Sequence, residues 1–263
     1  MEIKYTTQGL LIYATIAAYL LAFVATAARQ ARAGRVLFLV GFLLAILSYA
    51  YRWHHTQQPP LQNLFEVFLF GGAVCYPISW FCRRYLQIGG QWADMLIGAI
   101  VLFPAGFVFN AQPMPRPPAL QSWLFVPHVA VYILSYIFMA KASCQAGEQL
   151  FVKPRPDRIC LPTEQATYEL IAIGFPLLTL GLILGSWWGK LAWGDYWGWD
   201  PKELWSLASW LVYLGYFHWR YMFGRTHSRI NSLWAITGMA AIIITVLWVN
   251  LSRLFPGLHS YAT

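Results

Sequence analysis

Eight apolar runs separated by short polar links dominate the chain, at about 9–28, 36–51, 64–82, 93–109, 123–143, 169–187, 203–223 and 233–251. A helix of roughly 20 residues spans the hydrocarbon core of a bilayer, so runs of this length restrict the backbone more than any local motif. In lipid every peptide N–H and C=O must be paired within the protein, and a helix does this inside one segment. Charged residues make up 11% of the 263, where a soluble domain carries about a quarter. The expected class is therefore all-α, a polytopic membrane protein of eight transmembrane helices with a tryptophan-rich outer loop, built as a single membrane-integral domain over 1–263. The first run has no small-residue cleavage site and is followed by further runs, so it is expected to be retained.

The formal charge of +8 points to topology, not to nucleic acid. The links holding Arg29/Arg32/Arg35, Arg83/Arg84, Lys141/Lys153/Arg155/Arg158 and Arg220/Arg225/Arg229 carry 12 of the 18 basic residues and fall on one side of an eight-span arrangement. Lys4, Arg52, Arg116, Lys190, Lys202 and Arg253 fall on the other. Basic residues stay cytoplasmic. Both termini and the tryptophan-rich stretch are thus expected outside, in the periplasm or its equivalent. Of the four cysteines, Cys75 and Cys82 lie in the third run and Cys144 and Cys160 on the inner side. With no outer cysteine and no C-x-x-C, the chain has no disulfide framework and no dithiol exchange motif of its own.

The segment "SWWGKLAWGDYWGWDPKELW", residues 186–205, holds six tryptophans, five of them before residue 201. Indoles collect at membrane interfaces because one edge is apolar and the other hydrogen-bonds, but a belt needs only one or two per helix end. "DPKE" also reads as a helix start: Asp200 as N-cap, Pro201 first, Glu203 third. The remaining aromatics, with Gly189, Gly194 and Gly198 allowing close backbone approach, suit a broad apolar platform for a large flat molecule. Haem fits that description, with Lys190 and Lys202 placed either to meet its propionates or to be solvated.

Haem held in transit needs axial ligands, and neutral imidazole is the usual one. His128, in "SWLFVPHVAVYILSY", and His259, in "GLHSYAT", both lie on the outer side at span ends. A lone histidine is more often a hydrogen-bonded structural residue; two at matching depth beside the platform favour ligation. His218, in "VYLGYFHWRYM", lies 15 residues into its run, about 22 Å deep at 1.5 Å per residue, where an ionisable group suggests function. Gly215 would leave room beside it. His227 reads as exposed, and His54 and His55 begin an outer link.

These residues resemble the cytochrome c biogenesis haem-handling (WWD-domain) family of the CcsA/ResC type. "WGDYWGWDPKELWSLASWLVYLGYFHWR" is similar to its WWD signature and following helix, "PHVAVYILSY" and "GLHSYA" to the segments carrying two external histidines, and "PPLQNLFEVFLF" to its asparagine–leucine–glutamate segment. "HHTQQPP" departs from the corresponding family run. The resemblance covers about residue 40 to the end. It implies a haem-presenting subunit of a cytochrome c synthase complex, holding haem b between His128 and His259. The cradle would be Trp187, Trp188, Trp193, Trp197 and Trp199 with Asp200, in a WWD segment at about 186–205. His218 would be an earlier, intramembrane ligand. Implied partners are a CcsB/ResB-type membrane protein, apocytochrome c and thiol-reducing proteins; the implied location is the inner (plasma) membrane, or the thylakoid membrane in a plastid or cyanobacterium. Three other readings compete: a CcmC-like donor to a haem chaperone, a membrane electron-transfer haem protein and a haem-free assembly scaffold. No nucleophile or acid–base pair marks the chain itself as an enzyme.

Overall fold

The computed structural model describes residues 3–113, 115–151 and 160–249, and the regular structure among them is helical throughout. The α-helices are α1 Thr7–Ala27, α2 Ala31–Thr56, α3 Leu64–Tyr85, α4 Gln91–Phe107, α5 Phe125–Phe151, α6 Thr163–Trp193, α7 Pro201–Phe223 and α8 Ser228–Ile243. A 3-10 turn at Pro118–Gln121 precedes α5, another at Gly224–His227 joins α7 to α8, and α8 runs on as a π-helical turn over Ile244–Trp248. Six helical stretches are long and apolar enough to cross a membrane: α1, α2, α3, α5, α6 and the continuous Pro201–Trp248, which contains α7 and α8. Helix α4, with 17 residues, is a shorter apolar helix.

Each apolar run falls on one helix, but several helices outlast their runs. Hydropathy marks where lipid contact would stop, whereas a helix continues through Gln, Glu, Ala, Arg and Lys until something breaks it. Helix α2 goes on to Thr56, so Arg52 belongs to a helix and not to an outer link, and it is only 4% exposed. Helix α5 goes on to Phe151, which takes Lys141 out of the inner link and buries it, its Nζ donating to the Gly89 carbonyl at 3.1 Å. Helix α6 extends to Trp193, so Trp187, Trp188 and Trp193 ride on its last turns and the true loop is only 194–200. Its end comes at Gly194, whose φ of +92° suits glycine and whose N–H donates to the Lys190 carbonyl. Helix α7 then starts with the reciprocal cap legible in "DPKE": the Asp200 carboxylate accepts from the Lys202 amide at 2.9 Å, and Glu203 accepts from the Asp200 amide at 3.1 Å.

The chain divides into two compact units, one holding α1–α4 and the other α5–α8 with Leu86–Gly89. In the first unit Tyr19 of α1 is the pivot. Its ring is fully buried edge-on against Phe38, and its hydroxyl donates to the Gly72 carbonyl at 3.0 Å. A Cβ at Gly41 of α2 or Gly98 of α4 would lie 2.4 or 2.7 Å from that ring, so two missing side chains let α2 and α4 close on its two opposite edges. Ile12, Phe65, Leu69, Met95 and Leu102 complete this core.

A buried ion pair ties the end of α2 to the start of α3. Arg52 meets Glu66 at 2.8 Å, with both side chains 5% exposed. The second Glu66 oxygen accepts from the Gln62 amide at 2.8 Å, and the Asn63 side chain accepts from the Glu66 amide at 3.0 Å. Arg52 also donates to the Ala111 carbonyl and covers the Phe65 ring at 5.2 Å. The segment "PPLQNLFEV" is thus a polar knot that supplies partners to two buried charges.

In the second unit α5 packs along α6, and α8 packs against α5 and α7. The Ser135 hydroxyl donates to the Gly174 carbonyl at 2.8 Å, tying α5 to α6. At one end Glu164 pairs with Arg220 at 2.8 Å and accepts from the Asn231 amide at 3.0 Å, while Arg220 lies 3.7 Å from the centre of the Tyr168 ring. This gathers the start of α6, the end of α7 and the start of α8. The opposite end of the unit carries the tryptophans.

Candidate functional site: a histidine set among tryptophans

Three elements meet at this end: the first turn of α5, the last turns of α6, and the 3-10 turn before α5. Trp188 is the post between them. It is 1% exposed, packs on Leu120, Leu124 and Phe125, and donates its indole N–H to the Ala119 carbonyl at 2.8 Å. His128 stacks on its ring, centroids 5.7 Å apart and planes 22° from parallel, and stands edge-on to Tyr132 at 5.0 Å. The Nδ1 of His128 lies 2.9 Å from the Gly181 carbonyl, which can only accept, so that nitrogen carries the proton. Whenever that ring is neutral, its lone pair is on Nε2. A backbone carbonyl on one nitrogen is the usual way a protein orients an imidazole that binds metal through the other.

Gly185 makes that pose possible. A Cβ there would fall 2.5 Å from Cε1 and 2.9 Å from Nδ1 of His128. The missing methyl is where the imidazole lies.

The other aromatics present themselves unequally. Trp187 is 47% exposed and stands edge-on to Trp123, which is 68% exposed, at 5.6 Å. Trp193 is half-buried, edge-on to Trp188 at 4.7 Å. Trp197 and Trp199 meet at 6.2 Å, and Trp199 is 67% exposed. Trp199 also holds a φ of +57°, a left-handed backbone that costs a residue with a Cβ about 1–2 kcal/mol. The five expected cradle tryptophans therefore do not form one flat platform. Trp188 is a buried support behind His128, and Trp187 and Trp199, with Trp123, present exposed rings. Trp123 was not among the expected cradle residues; its signal was its place five residues before His128 in "SWLFVPH".

Two of the expected polar partners are drawn into the scaffold. Asp200 is 5% exposed and caps α7, and Lys190 folds onto its own loop, donating to the Gly194 carbonyl and lying 5.5 Å from the centre of the Tyr196 ring. His218 is exposed near the end of α7, its Nδ1 2.9 Å from the Leu214 carbonyl, at the Glu164–Arg220 end and away from the tryptophans. Gly215 makes room for the Trp234 ring, which a Cβ would approach to 2.9 Å, and not for a ligand of His218. His54 and His55 are exposed at the end of α2 in the other unit. His259 lies outside the described residues.

Fold and site together define a helical membrane protein that offers an oriented imidazole among exposed indoles. The model of the cytochrome c assembly protein family matches residues 9–256, which takes in both units, and the chain belongs to that family. Among its relatives, the cytochrome c biogenesis protein CcsA of Chlamydomonas reinhardtii is 31% identical over 246 residues, covering 86% of this chain and 67% of its own. CcsA of Parasynechococcus marenigrum is 31% identical, covering 88% of each chain, and CcsA of Trieres chinensis is 28% identical, covering 96% of this chain and 94% of its own. The role of this chain is accordingly in cytochrome c biogenesis.

Proposed function

We propose that this chain is the haem-presenting subunit of a cytochrome c synthase complex. All eight helices cross the membrane, with both termini and the tryptophan-rich end outside: the plasma membrane of a bacterium, or the thylakoid membrane of a plastid or cyanobacterium. Haem b is its cargo. His128 gives Nε2 to one face of the iron and His259 an imidazole to the other, while Trp187 and Trp199 lie against the porphyrin. His218 serves an earlier site at the inner end, completed by a CcsB/ResB-type membrane partner. Thiol-reducing proteins keep the apocytochrome cysteines ready, and thioether bonds form between those thiols and the haem vinyl groups. The chain's own contribution is placement.

The observation that carries this reading is the pose of His128, with Nδ1 held by the Gly181 carbonyl and the ring backed by Trp188. His128→Ala and His259→Ala are each expected to remove most of the haem that copurifies with the protein, and added imidazole to restore both the yield and the absorption spectrum. Haem content unchanged in both variants refutes the assignment. A second result concerns Trp199. Glycine relieves its left-handed backbone, so Trp199→Gly is expected to raise stability in detergent by about 1 kcal/mol while lowering haem retention. Haem retention equal to the parent's would remove Trp199 from the cradle.

A further inference from the structure

The first unit contains a pocket of about 470 Å³ lined by Arg35, Phe38, Tyr76, Trp80, Arg83, Arg84 and Gln91. It joins the first turns of α2, the end of α3 and the first residue of α4. Three guanidiniums line it, and no carboxylate does. Its apolar wall is organised: Tyr76 meets Phe38 edge-on at 5.2 Å and stacks on Phe42 at 5.0 Å. Trp80 is 50% exposed beside it, and the Arg83 guanidinium is steadied by the Gln91 side chain.

Positive charge at the ends of these helices sets topology, and scattered arginines would do that equally well. Five arginines, at 29, 32, 35, 83 and 84, serve those ends, yet only the last three converge on the pocket. Convergence on an aromatic wall at a helix end adds what topology does not need: a seat for an anion that has an apolar body attached. At that level of a bilayer the abundant molecule of this kind is a phospholipid, and basic pockets between membrane helices take anionic headgroups. Arginine suits phosphate because its planar fork binds two oxygens at once.

We propose that this pocket binds the phosphate headgroup of an anionic phospholipid, with Arg35, Arg83 and Arg84 on the phosphate and with Trp80 and Tyr76 against the glycerol and upper acyl chain. The site is separate from the His128 site and does not depend on haem.

The test is native mass spectrometry of the full chain, delipidated in neutral detergent and titrated with phosphatidylglycerol or phosphatidylcholine of matched chains. Phosphatidylglycerol is expected to bind at least about tenfold more tightly, and each of Arg35→Gln, Arg83→Gln and Arg84→Gln to weaken it roughly fivefold. The pair Arg29→Gln/Arg32→Gln removes nearby charge without touching the pocket and should change binding less than twofold, by about the scatter expected of screened surface charge. Equal binding of the two lipids, or an equal loss in the Arg29/Arg32 pair, overturns the proposal. So does competition by millimolar inorganic phosphate or by haem at equal concentration, either of which would assign the pocket to a soluble anion or to porphyrin. Helix content by circular dichroism, unchanged in the variants, ties any loss to the pocket and not to unfolding.

Discussion

Glu66→Ala is expected to destabilise the chain by about 3–5 kcal/mol, the cost of leaving a buried guanidinium without its counter-ion. Arg52 and Glu66 are each 5% exposed in their side chains, so water cannot replace the lost carboxylate. The Gln62 amide loses its acceptor as well, and the start of α3 keeps only the Asn63 cap. Circular dichroism during titration of mixed micelles with SDS would read the change. Replacing both partners by apolar residues, Arg52→Met with Glu66→Leu, is expected to cost clearly less than Glu66→Ala alone, because no charge is then stranded. A loss below about 1 kcal/mol for Glu66→Ala would mean that the pair is solvated like a surface bridge.

Gly185→Ala separates site from scaffold. The added methyl would occupy the place of the His128 imidazole, 2.5 Å from Cε1, and the ring would have to rotate off the Gly181 carbonyl. Rotation about the side chain is cheap, and alanine favours a helix interior over glycine by about 1 kcal/mol, so stability is expected to hold or rise slightly. Ligation depends on position to within about an ångström, so haem retention is expected to fall as far as in His128→Ala. Added imidazole should restore binding where the cavity still admits it. Parent-level haem in Gly185→Ala would show that the observed pose of His128 is not the ligating one.

Apolar runs located each of the eight α-helices among the described residues, because a helix pairs its own backbone groups where lipid offers no partner. They misplaced the ends, since hydropathy is blind to a helix that continues into polar residues. Arg52 and Lys141 were assigned to links on that ground and proved to be buried helix residues. "DPKE" was legible as a cap because its bonds join residues only two or three apart. The roles of the tryptophans were not legible individually. Trp187 and Trp188 are neighbours in sequence, and the turn of the helix exposes one and buries the other. Lys190 has a local partner in the Gly194 carbonyl, which composition alone does not reveal.

From the sequence by itself came the helical class, the positions of the helices, the charge asymmetry of the links and the family resemblance. The first three are set by interactions local to one segment or by its transfer from water to lipid. Only the tertiary structure paired Arg52 with Glu66, seated His128 between Gly181, Gly185 and Trp188, and drew Arg35 to Arg83 and Arg84 around one pocket. Those contacts join residues far apart in the chain, and which faces meet depends on where small residues let helices approach. That is a property of the packed pair of helices and is written in neither one alone.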